Sequence, residues 1–279
     1  MGKSASHFVA GALAGTAEHC GMFPVDTIKT HMQAHREGMH SMTSTARNVF
    51  HTGGFRAFFR GLTALIAGAA PSHAVYFASY EICKKQLGGN IPGTFALSVS
   101  AATATILGDA VISPMDAVKQ RLQLNSVHYQ GTRDCIRNVI KKEGVRALYA
   151  GYTTTIIMNV PFHAIYLNIY ERLIRILKKD KREYSGILHF AAGGGAGMVA
   201  GGLTNPLDVA RTRLQTQGNI VGEGHIHYKG LVHTLATIWR GEGVRGMSRG
   251  MGARMLFHSF SASILWTTYE YFKFIFGAT

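Results

Sequence analysis

A chain of 279 residues with only 16% charged side chains and 33 glycines lies well below the roughly 25% charge of soluble domains, which turns the reading toward a membrane protein. The net charge of +14 sits in segments between apolar stretches, without the interleaved aromatics of a nucleic-acid platform, so no nucleic-acid partner is expected. Cys20, Cys83 and Cys135 offer neither the even count of a disulfide framework nor the C-x-x-C spacing of a zinc site.

From Ser4 to Ala17 nothing is charged, and Gly11, Ala12, Ala14 and Gly15 supply the small face that lets membrane helices approach. This stretch and its continuation to about Gln33 predict one long helix kinked at Pro24. A polar, basic segment with a short helix around Ser44–His51 follows. Gly61 to Tyr80 is then free of acidic and basic residues, long enough to span the ~20 residues of a hydrocarbon core. Four more such stretches come after it: Ile91–Gly108, Gly151–Tyr170, Tyr184–Leu207 and Met255–Tyr269. Six spans put both termini on one side. No charged, apolar, small-residue leader precedes the first span, so any targeting address is expected to be internal.

The spans come in pairs because the sequence repeats. Pro24-x-Asp26-x-x-Lys29 returns as Pro114-x-Asp116-x-x-Lys119 and Pro206-x-Asp208-x-x-Arg211, each trailed by a glutamine: Gln33, Gln123 and Gln215. A second motif echoes as Gly54-Phe-Arg-Ala-Phe-Phe-Arg-Gly61, Gly144-Val-Arg-Ala-Leu-Tyr-Ala-Gly151 and Gly243-Val-Arg-Gly-Met-Ser-Arg-Gly250. The expected fold is an all-α membrane protein: one domain, 1–279, with six transmembrane helices in three pseudo-threefold repeats, 1–90, 91–182 and 183–279, and short amphipathic helices between helix pairs. An enzyme is not expected. No nucleophile–base pair is apparent, and Gly193-Gly194-Gly195-x-Gly197 lies inside a span rather than after a strand.

Three copies of Pro-x-Asp-x-x-Lys/Arg in register with the glycine echo resemble the mitochondrial carrier family over essentially the whole chain. The resemblance implies a monomeric, multi-pass protein of the inner mitochondrial membrane, among lipids that include cardiolipin, with a central substrate cavity. It also implies a matrix gate in which Asp26, Asp116 and Asp208 pair with Lys119, Arg211 and Lys29, braced by Gln33, Gln123 and Gln215. A cytoplasmic gate would use Tyr80-Glu81-x-x-Lys84 and Tyr269-Glu270-x-x-Lys273. Tyr170-Glu171 has Ile174 where the base belongs and Arg175 one residue late, so this gate should be the weaker. The physics agrees: charges at membrane depth are costly unless paired or wet, so these groups should line a cavity and meet one another.

Steps of four and seven along a helix return to nearly the same direction. Seven residues before the gate aspartates stand His19, Asp109 and Gly201, with Met22 four before Asp26. Seven before the gate tyrosines stand His73, His163 and Ala262, and four further back Ala69, Asn159 and His258, with Met158 beside Asn159. The expected lining is therefore His19, Met22, His73, Asp109, Met158, Asn159, His163 and His258, with no arginine or lysine at mid-depth to neutralise an anion. Imidazole, thioether and amide oxygen suit a borderline transition metal, with His19, His73, Met158 and Asn159 as its ligands. His163 and His258 also serve as cross-helix hydrogen-bonders, and Met158 as packing, in the plainer reading.

Glu18-His19-x-x-Met22-x-Pro24, His73-Ala74-x-Tyr76-Phe77-Ala78-Ser79-Tyr80-Glu81, Asn159-x-Pro161-Phe162 and Trp266 are similar to segments of the family's iron-carrying branch. Gly108 and Ile112 depart from it, where histidine and methionine are usual; His189 resembles a histidine of some members. His35, His40, His225 and His227 are read as solvated loop residues. The resemblance implies transport of Fe2+, or a small iron complex, into the matrix by alternating access, with no bound cofactor. Another divalent transition metal, a small neutral or cationic metabolite and, more remotely, a basic helical-repeat RNA scaffold are the alternatives.

Overall fold

The structure is a computed structural model that describes residues 3–34, 41–87, 93–124, 129–177, 186–217 and 228–261; at 3–17, 19, 93–95, 98, 186, 187 and 189 only the backbone is described. Among the described residues every regular element is helical: α1 (Lys3–Ala34), α2 (Met42–Ala57), α3 (Leu62–Leu87), α4 (Gly93–Leu124), α5 (Thr132–Glu143), a 3-10 segment Val145–Tyr149, α6 (Tyr152–Leu177), α7 (Gly186–Leu203), α8 (Asn205–Thr216) and α9 (Leu231–Met247). The run 251–261, here α10, is helical as well. His35, His40, His225, His227, Ala262, Trp266, Tyr269, Glu270 and Lys273 lie outside the described residues.

The even spans α3 and α6 begin one residue after Gly61 and Gly151, where the echo placed them. Odd spans α1 and α4 continue through Pro24 and Pro114. The third odd span differs, for it is interrupted at Thr204 and restarts as α8 with Pro206 as its second residue. Gly201-Gly202 just before the break disfavours helix, while proline is preorganised for a helix start. The Asn205 side chain pins the junction by donating to the carbonyls of Met247 at 2.8 Å and Arg249 at 3.2 Å.

Both glycines of the echo have a structural task. Gly54, Gly144 and Gly243 all have left-handed backbones (φ 64°, 83° and 61°), a conformation without penalty only for glycine, so the amphipathic helices α2, α5 and α9 turn toward the next span at equivalent points. Their partners Gly61, Gly151 and Gly250 are sites of close approach. A Cβ at Gly61 would stand 2.8 Å from the Lys119 carbonyl, one at Gly151 2.5 Å from Gln215 Cγ, and one at Gly250 2.9 Å from Gln33 Cγ. The start of each even span thus rests on the basic–glutamine segment of an odd one.

By its contacts the chain divides into two compact units: 1–59, 158–209 and 238–279 form the first, and 60–157 with 210–237 the second. In the second, Ala64, Val118, Leu122, Cys135, Val139 and Leu148 form a buried core, and Gly68 lets α3 close onto Met115 of α4. Fully buried Arg121 donates through Nη1 and Nη2 to Glu143, the latter at 2.8 Å, and through Nε to the Gln215 carbonyl at 3.0 Å. The corresponding residues of the first repeat are His31 and Gly53, so arginine and glutamate are absent there together. In the first unit Phe23 stacks on Phe59 at 6.4 Å and the Thr27 hydroxyl donates to the Phe58 carbonyl at 2.8 Å. The glycine face of α7 lies against α10: a Cβ at Gly194 would be 3.1 Å from the Ser259 carbonyl and one at Gly197 3.2 Å from His258 Cβ.

Helices of 26 and 32 residues exceed the ~20 that a span requires. Among the described residues, however, none is both long and apolar enough to cross a membrane as a continuous apolar helix. Their sequences supply the reason, since gate charges, glycines, serines and threonines interrupt the apolar surface of each one.

Candidate functional site

The motif aspartates organise the site because α1, α4 and α8 each place Asp, Lys or Arg, and Gln on one face at steps of three and four. In the first unit Asp208 lies almost wholly buried and gathers three donors. Lys29 Nζ stands 3.1 Å from its Oδ2, Gln33 Nε2 donates to the same oxygen at 2.9 Å, and Arg254 Nη1 is 3.2 Å away. The second unit holds an equivalent pair, with Arg211 Nη2 donating to Asp116 Oδ2 at 2.6 Å. Two of the three expected pairings are thus formed; the third, Asp26 with Lys119, divides between the two units. Asp26 also lies 3.8 Å from Lys29 on its own helix. Gln33, Gln123 and Gln215 are all buried, and Gln33 braces its aspartate as the motif implied.

Above Asp208 the first unit assembles a second cluster. Arg254 of α10 is buried and engages four groups besides Asp208: Nη2 donates to Thr204 Oγ1 at 2.9 Å and to Met158 Sδ at 3.6 Å, Nη1 donates to the Thr204 carbonyl at 3.2 Å, and the guanidinium lies 6.0 Å from the Phe162 ring centre. The His258 ring, one turn on, packs on Phe162 with centroids 4.9 Å apart. It occupies space that Gly201 leaves open, since a Cβ there would stand 2.8 Å from His258 Cδ2. His19, Asp109 and Gly201 are equivalent in the three repeats, so in the third a histidine from another helix fills the place of the missing side chain.

Arg254, buried and in contact with both Asp208 and Met158, is a residue that the reading of the sequence did not single out. Counting four residues from Gly61, Gly151 and Gly250 gives Leu65, Thr155 and Arg254, so the repeat offered no pattern to find it by. Its signal was a cation one residue before a charge-free window. A buried arginine is tolerated where a carboxylate faces it, as Asp208 does here.

The other candidates lie on several helices, some in each unit. Met22 and Met158 are buried, while Asp109 and Asn159 are half-buried on α4 and α6. His73 and His163 are exposed, on the edges between the stripes of Tyr80 and Tyr170 and the exposed apolar residues Ile66 and Phe77, or Val160 and Leu167. His19 and His189 lie on α1 and α7 with their backbone alone described. Gly108 is buried, and its carbonyl accepts the Ser72 hydroxyl at 2.8 Å. Among the described residues no three His, Cys, Asp or Glu side chains form a group that could hold a metal ion. Toward the opposite end, Lys84 lies over the Tyr80 ring at 5.8 Å. Arg175, one residue out of register, meets Glu171 of its own helix at 3.4 Å, with both side chains about two-thirds or more exposed (75% and 66%).

A family model described as Mitochondrial carrier protein matches residues 2–91, 92–181 and 182–278. The chain belongs to the mitochondrial carrier family. This carrier is therefore a multi-pass transporter of the mitochondrial inner membrane and not an enzyme. It is 47% identical to Mitoferrin of Dictyostelium discoideum over 97% of its own length and 94% of that protein's. It is 38% identical to Mitoferrin-1 of Mus musculus, across 97% of this chain and 83% of the relative, and 38% identical to Mitoferrin-2 of Homo sapiens, across 97% and 77%. The charged cluster on α1, α8 and α10 is thus part of a transporter.

Proposed function

We propose that this carrier moves ferrous iron, alone or as a small complex, from the intermembrane space into the matrix by alternating access. The observation that carries the reading is the whole-chain likeness to proteins named Mitoferrin. The residues are consistent with such a cargo. His19, His73, Met158 and Asn159 offer imidazole, thioether and amide ligands, and Met22, Asp109, His163 and His258 are further groups of the kinds such a cargo would meet. Few protein ligands suit transport, because a site that must release its ion works better with exchangeable water than with a closed four-ligand cage.

Arg254 does not recruit an anionic cargo in this reading, since Arg254 and Lys29 together face two carboxylates, Asp208 and Asp26. The pairs Lys29–Asp208 and Arg211–Asp116 are those a matrix gate would use in this reading, while Glu171 pairs with Arg175 on its own helix. Ion pairs of modest net strength suit a gate that must open and close.

Uptake of radiolabelled ferrous iron into proteoliposomes tests the proposal. The double variant His19→Ala with His73→Ala should lose uptake while melting like the parent. Uptake at the parental rate in that variant, or displacement of iron by a neutral metabolite rather than by other divalent ions, would sink it.

A further inference from the structure

Arg254 touches both a gate carboxylate and a candidate cargo ligand. One nitrogen of its guanidinium faces Asp208 Oδ2 at 3.2 Å, and the other donates to Met158 Sδ at 3.6 Å. Thr204 at the break between α7 and α8 fixes the fork by accepting from both nitrogens. We propose that Arg254 is a positioning residue that couples cargo binding to the matrix gate. It acts as a tethered cation, resting on the cargo seat when the carrier is empty and holding Asp208 in the closed gate.

A cation settling on Met158 competes with the guanidinium for the sulfur and repels it. Because the fork is rigid and planar, displacing one nitrogen withdraws the other from Asp208. The Phe162 face, already 6.0 Å away, offers the displaced cation a place to rest. Asp208 then keeps Lys29 and Gln33 but loses the donor that tied it to α10, and the gate is easier to open. The coupling is reciprocal: an opened gate lowers the competition for Met158. Such a link needs no repeat symmetry, and Leu65 and Thr155 at the equivalent positions make none. The proposal rests on the transport reading, but not on which cation is carried.

Thr30 provides a probe. It shares a face of α1 with Asp26 and Gln33 and is only 2% exposed, so a cysteine placed there is shielded while the gate is closed. In a background with Cys20, Cys83 and Cys135 replaced by serine, Thr30→Cys would be labelled with a membrane-permeant maleimide in proteoliposomes. Without any metal, Arg254→Gln should raise the labelling rate about fivefold or more over the parent. Arg254→Lys, which keeps the charge but not the fork, should raise it about twofold.

Labelling equal to the parent in Arg254→Gln overturns the proposal, whatever the cargo; if that variant cannot be recovered folded, Arg254→Lys decides by the same criterion. Ferrous iron should accelerate labelling in the parent and add little in Arg254→Gln. Equal acceleration by iron in both also overturns the coupling. If iron accelerates neither while the metal-free difference persists, the coupling stands and the iron reading falls.

Discussion

Asp208→Asn is the most informative single change to the gate. Asp208 is 4% exposed, Arg254 3% and Lys29 17%, so two cations depend on one buried carboxylate. Asparagine preserves the shape and can still accept from Gln33, but it leaves Arg254 and Lys29 without that charge. Breaking a buried pair in this way costs about 3–5 kcal/mol, because the remaining charge stays desolvated. Asp116→Asn is the internal control. Its pair with Arg211 is wetter at both ends (18% and 16%), and its loss should cost roughly 1 kcal/mol. With ~2–4 °C per kcal/mol for a chain approaching this size, Asp208→Asn should melt roughly 6–20 °C below the parent and Asp116→Asn about 2–4 °C below. Thermal unfolding of the purified carrier followed by tryptophan fluorescence reads both. Adding Arg254→Gln to Asp208→Asn should restore several degrees, since it removes one of the stranded charges. If the two asparagine variants melt within 2 °C of each other, the burial argument is wrong.

The glycine echo predicts a graded pair. Gly54→Ala meets only the glycine-specific backbone (φ 64°, ψ −163°), with nothing within 4 Å, and should cost about 1–3 kcal/mol, whereas Gly61→Ala, also at positive φ, adds a contact 2.8 Å from a carbonyl and should cost about 1–3 kcal/mol more. Equal melting temperatures for the two would remove close approach as the reason for the second glycine. Cys135, on α5 outside the spans, gives a pH dependence: burial pushes its thiol up to about 12 from an ordinary 9.0. Above pH 9 the unfolded thiol ionises while the folded one keeps its proton, so stability is fully present below that pH and falls as pH rises toward 12. The difference in unfolding midpoint between the parent and Cys135→Ala should shift against the parent by about 1 kcal/mol per pH unit between pH 9 and 11; parallel curves would refute it.

Much of the molecule is legible from short-range spacing. Asp26 with Lys29, and Gly54 with Gly61, act through positions a few residues apart in the chain, and each pair recurs in all three repeats, while the charge-free run follows Gly61 and Gly151. Repetition turned a weak local signal into an architecture, and two of the expected ion pairs formed as the motif implied. Whatever departs from the repeat was harder to read. Arg254 fell outside because charge-free windows select residues compatible with lipid, and this one owes its place to an aspartate some forty residues earlier. His258 filling the space at Gly201 has the same character, as does the division of the third span at Thr204.

The sequence by itself determined the family, the helices and the charged motif on the odd spans, because those depend on local periodicity repeated three times. Only the tertiary structure decided that Asp208 serves two cations and that one of them also touches Met158, because a buried charge finds its partner by proximity in space and not by separation along the chain.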